Sequence, residues 1–182
     1  VDVHTALGNI RLEGISASEC GLLCNMGSNT IKKCSFDKSD LNTNMGEISV
    51  SDTDLGDSEV NNDMGEIDID DCAFGDLAIT AAMGGVTIGA AHTLEDYDME
   101  LVADLGSVHV NNRSESTHFR QSGDAGKLSV NTSVGSVRLS YGADSLSRLK
   151  IKTGSDPKGA TACFDASQTH RKEPLDFLRV LC

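Results

Sequence analysis

A chain of 182 residues, 38% hydrophobic and 24% charged, has the balance of a folded domain with a real core and argues against a disordered protein. Its formal charge of −13, with no basic patch within the repeats described below, argues against nucleic acid and anionic lipid headgroups as partners. No apolar run approaches the ~20 residues of a membrane-spanning helix. Charge is uneven: residues 1 to 142 hold 8 Lys+Arg against 23 Asp+Glu, whereas residues 143 to 182 hold 7 against 5, so the two parts are different material. No signal-peptide pattern opens the chain, yet Val1 already sits in repeat register. The reading therefore expects sequence upstream, and any membrane association would come through a region absent from this chain.

From the start of the chain a short unit recurs, an apolar residue, a glycine and then alternate apolar residues. Its copies are Leu7-Gly8-Asn9-Ile10, Met26-Gly27-Ser28-Asn29, Met45-Gly46-Glu47-Ile48, Met64-Gly65-Glu66-Ile67, Met83-Gly84-Gly85-Val86, Leu105-Gly106-Ser107-Val108 and Val134-Gly135-Ser136-Val137. The first four glycine intervals are each 19 residues, followed by 22 and 29 (84 to 106 and 106 to 135). Four identical intervals predict a stacked, quasi-one-dimensional architecture.

Within each repeat the fifth residue before the glycine is always apolar: Val3, Leu22, Leu41, Val60, Ile79, Leu101 and Val130. The second residue after it is Ile or Val except at Asn29, and the fourth is Leu, Ile or Val throughout. Period-two patterning with β-branched residues predicts short half-buried strands and no helix over residues 1 to 140. A third apolar element, as in Cys34-x-Phe36, Thr53-x-Leu55 and Cys72-x-Phe74, is followed by a turn such as Leu55-Gly56-Asp57. Three strands in 19 residues leave no room for hairpins, so each strand is expected to pair with its copy in the next repeat. Identical residues would then stack roughly 4.8 Å apart. The resulting fold class is all-β, a parallel β-solenoid of about 19-residue coils over residues 1 to 153, with a non-repeat tail at 154 to 182 as a candidate cap. Leu149-x-Ile151-x-Thr153 reads as a last strand and Pro174 to Cys182 as one short helix. On this register the methionines at 26, 45, 64 and 83 form a buried ladder.

The two long intervals carry insertions, a small one from Gly89 to Asp98 and a polar one from Asn111 to Ala125. Insertions in solenoids become loops, often on the binding face. The longer one sets Arg113, His118, Phe119 and Arg120 among acidic coils, and Arg and aromatic side chains dominate many interfaces. These four are the candidate interaction residues.

Chemistry is otherwise sparse. Cys34 and Cys72 share a column two coils apart and Cys20 and Cys24 lie on one extended strand, separations too long for disulfides, so all four are expected as buried thiols. Cys163 and Cys182 are free to pair or react. The five His form no metal spacing, and Gly126-Lys127-Leu128 fails the P-loop pattern at Gln121 and Leu128. Acidic residues stack as Glu47 over Glu66, Asp52 over Asp71 and Asp57 over Asp76; divalent cations could relieve their repulsion, but solvated acidic turns are the simpler reading. No cofactor is implied and no catalytic motif appears, so the residues point away from an enzyme.

The repeated apolar-Gly-x-[Ile/Val]-x-[Val/Ile] unit, spaced by turns as in Phe74-Gly75-Asp76-Leu77-Ala78-Ile79, resembles the bacterial DUF4097-type family of adhesin-like repeat proteins over roughly residues 1 to 141. The resemblance implies a parallel β-solenoid on or near the bacterial cell envelope, with no catalytic residues. The function it implies is a non-enzymatic cell-surface or envelope interaction module with a protein or glycan partner. A regulatory or scaffold domain of an envelope-stress protein, on either side of the membrane, and a β-helical carbohydrate-active enzyme are the alternatives. End-to-end self-association of the stacked coils is a further expectation.

Overall fold

The structure, a computed structural model, describes residues 1–142. The strand at 149 to 153, the tail with its helix, and Cys163 and Cys182 lie outside the described residues. Each coil gives one strand to each of two sheets. The first sheet takes β1 (Asp2–Leu7), β3 (Ser16–Met26), β5 (Ser35–Met45), β7 (Asp57–Met64), β9 (Leu77–Met83), β11 (Asp98–Leu105) and β15 (Lys127–Val134). The second takes β2 (Ile10–Glu13), β4 (Asn29–Lys32), β6 (Ile48–Ser51), β8 (Ile67–Cys72), β10 (Val86–Ala90), β12 (Val108–Val110) and β16 (Val137–Ser140). Two further strands, β13 (Arg113–Ser114) and β14 (His118–Gln121), come from the longest interval. No α-helix occurs among the described residues.

Pairing between coils is parallel and holds the register of the repeat, with Leu22 against Leu41, Leu41 against Val60 and Val60 against Ile79. Those residues are buried, as are Ile48, Val50, Ile67 and Ile69 facing them from the second sheet. The single polar exception, Asn29, is also fully buried, and its Nδ2 donates to Thr43 Oγ1 at 2.7 Å. A hydroxyl from the opposite sheet thus meets the amide nitrogen, while Oδ1 is buried with no hydrogen-bond partner among the described residues. The expected third strand is reduced. Cys34, Phe36, Thr53, Leu55, Cys72 and Phe74 are buried at the corner; Ser35 and Phe36 extend β5 into a ladder with Ser16 and Ala17, whereas the following coils are joined there by single bridges, Ser35 to Asp54 to Ala73. The coil is thus two-faced, with its core between two sheets.

The order of coils differs from the expected nearest-neighbour stack. The last coil (β15, β16) lies between the fifth (β9, β10) and the sixth (β11, β12), making the sheet orders β1-β3-β5-β7-β9-β15-β11-β14 and β13-β12-β16-β10-β8-β6-β4-β2. The 22-residue interval therefore steps over a vacant rung, and the chain returns later to fill it. The glycine column follows the spatial order. A Cβ on Gly65 would strike the carbonyl of Gly46, and one on Gly135 would strike that of Gly84 rather than Gly106. Both glycines also have φ near +140, at +137° and +152°, where a side chain is strained.

The long insertion is not a projecting loop. Asn111 and Asn112 both take positive φ, 47° and 62°, the requirement of a two-residue primed hairpin turn. The turn folds β13 back antiparallel onto β12, and β14 then runs antiparallel to β11. Both outer edges of the sixth coil are covered by this one segment, which is a recognised way of protecting an open sheet edge.

Candidate interaction surface

The four predicted interaction residues belong to this covering segment and are divided between its two strands. Arg113 is exposed on β13, beside the second sheet. On β14, Arg120 Nη2 lies 3.2 Å from Glu100 Oε1 of β11 and pairs with it, while His118 Nε2 stands 3.7 Å from the same oxygen, beyond hydrogen-bond distance. Phe119 is half-buried against the core and stands opposite Leu101 in the pairing. Arg113 and Phe119 do share a cleft of about 430 Å³ with Val110, Asn111, Glu115 and Tyr141. Next along β14, Gln121 Nε2 donates to the carbonyls of Leu94 and Glu95, each at 2.8 Å, and so pins the shorter insertion. The arrangement of these residues is that of a fastened edge, in which Phe119 and Arg120 hold β14 in place.

The larger exposed feature was not expected. The methionine ladder is not buried: Met26, Met45, Met64 and Met83 are 43–47% exposed, and the same column continues through Leu7 at one end and Val134 and Leu105 at the other. Register places these seven side chains in the order Leu7, Met26, Met45, Met64, Met83, Val134, Leu105. The reason lies in the corner. Inward positions end three residues before the glycine, as at Thr43, and resume two after it, as at Ile48; the residues between, Met45 included, form the outer rim where the chain leaves one sheet for the other. The result is a continuous apolar ridge roughly 29 Å long, in six steps of about 4.8 Å.

The flanks of the ridge are polar, acidic or small, the last at Ala6, Ala82 and Gly85. Two residues before the glycine stand Asp63 and Asp104, and one residue after it stand Glu47 and Glu66, all exposed; at neither flanking position of any rung is there a Lys or Arg. A signal for the ridge exists in the sequence, since Leu7, Leu105 and Val134 occupy the Met column. It is masked because the column is in phase with the buried positions five and three residues before the glycine.

Fold and surface can now be set beside known proteins. The family model described as Toastrack DUF4097 matches residues 1–140. The chain belongs to the Toastrack DUF4097 family. No curated protein and no solved structure matches it. The match covers both ends of the ridge and the whole covering segment.

Elsewhere in the Toastrack coils, polar groups serve the stack itself. The stacked acids at 57 and 76 are ladder caps: Asp57 Oδ1 accepts from the Asp76 N–H at 3.1 Å and Asp76 Oδ1 from the Lys127 N–H at 2.8 Å. Bonds to backbone amides hold these two carboxylates in place. Among the described residues no group of three or more His, Cys, Asp or Glu is placed to hold a metal ion. In the shorter insertion, the Tyr97 hydroxyl donates to the Phe74 carbonyl at 2.8 Å and lies 3.0 Å from His92 Nε2. Burial lowers the His92 pKa and raises that of Tyr97, so both are neutral packing groups at pH 7. Cys20, Cys24, Cys34 and Cys72 are free and buried, as their register implies.

Proposed function

We propose that this Toastrack domain is a non-enzymatic interaction module of the bacterial cell envelope or surface, with the adhesin-like role and the location both belonging to the proposal. The observation that carries it is the apolar ridge. A contiguous apolar line on an otherwise acidic surface marks a contact site far more often than isolated exposed hydrophobics do. Stacked repeats suit such a role, because a rigid array repeats one side chain at fixed spacing over a long surface.

The test is binding of the purified chain to intact bacterial cells and to their isolated envelope fraction. Saturable binding that weakens about tenfold in a Met45→Ser/Met64→Ser variant supports the proposal. Absence of binding together with turnover of a polysaccharide panel overturns it in favour of a carbohydrate-active enzyme. Binding indifferent to the substitutions removes the ridge from it.

A further inference from the structure

We propose that the partner of the ridge is a cationic amphipathic helix on another protein, an inference that rests on the interaction-module reading and names its occupant. Four adjacent rungs carry Met, whose unbranched, polarisable side chain adapts to differently shaped apolar partners. A helix fits this line in both length and pitch. The ridge of roughly 29 Å matches a helix of about 19 residues, and one helical turn of ~5.4 Å falls beside one rung of ~4.8 Å. Over the four Met rungs the mismatch grows to only about 2 Å, within the reach of a flexible thioether.

Charge decides among occupants. Asp63 and Asp104 stand three rungs apart on one side of the ridge and Glu47 and Glu66 on adjacent rungs of the other, and none of the four forms a salt bridge among the described residues. Lysines or arginines bordering the apolar stripe of a helix would meet these carboxylates on both flanks. A second copy of this chain would instead bring its own acidic borders against them, and an anionic lipid surface would be repelled by a chain of net charge −13.

The experiment uses the full chain and a fluorescein-labelled peptide of about 18 residues with Leu on one helical face and Lys on the other, titrated by anisotropy at physiological salt. A peptide of the same composition in scrambled order is the control. The expected result is saturable binding of the amphipathic peptide alone. Met45→Ser/Met64→Ser should weaken it about tenfold, and Glu47→Gln/Glu66→Gln should weaken it while flattening its salt dependence. Circular dichroism checks that the variants, all at exposed positions, remain folded. Equal binding of the scrambled peptide, no binding of either peptide, or indifference to both double variants overturns the proposal. So does sedimentation showing a dimer that Met45→Ser/Met64→Ser dissociates, which gives the ridge to a second copy, or ridge-dependent binding to phosphatidylglycerol vesicles. Envelope binding that survives alongside a failed peptide titration leaves the interaction module standing and removes only the helix.

Discussion

Leu41 and Met45 lie four residues apart on β5, both in the inward phase, and they differ in what the opposite sheet offers them. Leu41 is fully enclosed, whereas Met45 is 44% exposed. Leu41→Ala should therefore cost about 2 to 5 kcal/mol and Met45→Ala well under about 1 kcal/mol, a contrast that urea unfolding of the two variants resolves. Cys72 supplies a second residue-scale test. Its Sγ lies buried, 3.3 Å from the Asp70 carbonyl, and burial pushes the thiol from an ordinary 9.0 up to about 12, with Asp70, Asp71 and Asp52 adding to the shift. In the unfolded chain the thiol ionises first, so the native state holds a proton that the unfolded state has lost. The stability this provides is complete below pH 9 and declines as pH rises toward about 12. Denaturation midpoints measured from pH 8 to 11 should fall less steeply in Cys72→Ala than in the parent chain.

At the scale of the element, the corner governs. Corner glycines such as Gly46 donate their N–H to the carbonyl of the apolar residue in the neighbouring coil, here Met64 at 2.8 Å, and those from Gly27 to Gly135 leave no space for a Cβ. Gly65→Ala combines backbone strain of about 1 to 3 kcal/mol with a clash of similar size, and should cost about 2 to 6 kcal/mol. Gly14 is the internal control. Its φ is also positive, at 66°, but nothing lies within 4 Å of a Cβ there, so Gly14→Ala should cost only about 1 to 2 kcal/mol. Equal losses in thermal melts of the two variants would contradict the close approach assigned to the glycine column.

For the whole molecule, the decisive device is the segment after Asn111. The Ala103 N–H donates to Thr117 O and the Val108 N–H to Ser116 O, so this segment satisfies edge amides of the sixth coil that would otherwise face solvent or another chain. Replacing residues 113–122 with a short Gly/Ser linker should keep the β-rich circular dichroism spectrum and raise concentration-dependent self-association above that of the parent chain in sedimentation velocity. An unchanged sedimentation coefficient across concentrations would show that the segment protects nothing.

The two strands flanking each glycine, the parallel register, the buried columns at Leu41 and Val60 and the unpaired thiols follow from spacing, because alternation and the 19-residue period are local properties of the chain. Two decisions belong to the tertiary structure. The side on which Met45 emerges was beyond alternation, since a corner glycine allows a side chain in the inward phase to lie past the edge of the core. The order of the coils was beyond periodicity, since rungs with the same apolar columns can stack on one another in any order. Connection length and the edge strands β13 and β14 choose among those orders. Arg113, His118, Phe119 and Arg120 were therefore found as an exception to the repeat, but their joining to Glu100 and the sheet edges, and the exposure of the Met ridge, arise only when coils far apart in sequence meet in space.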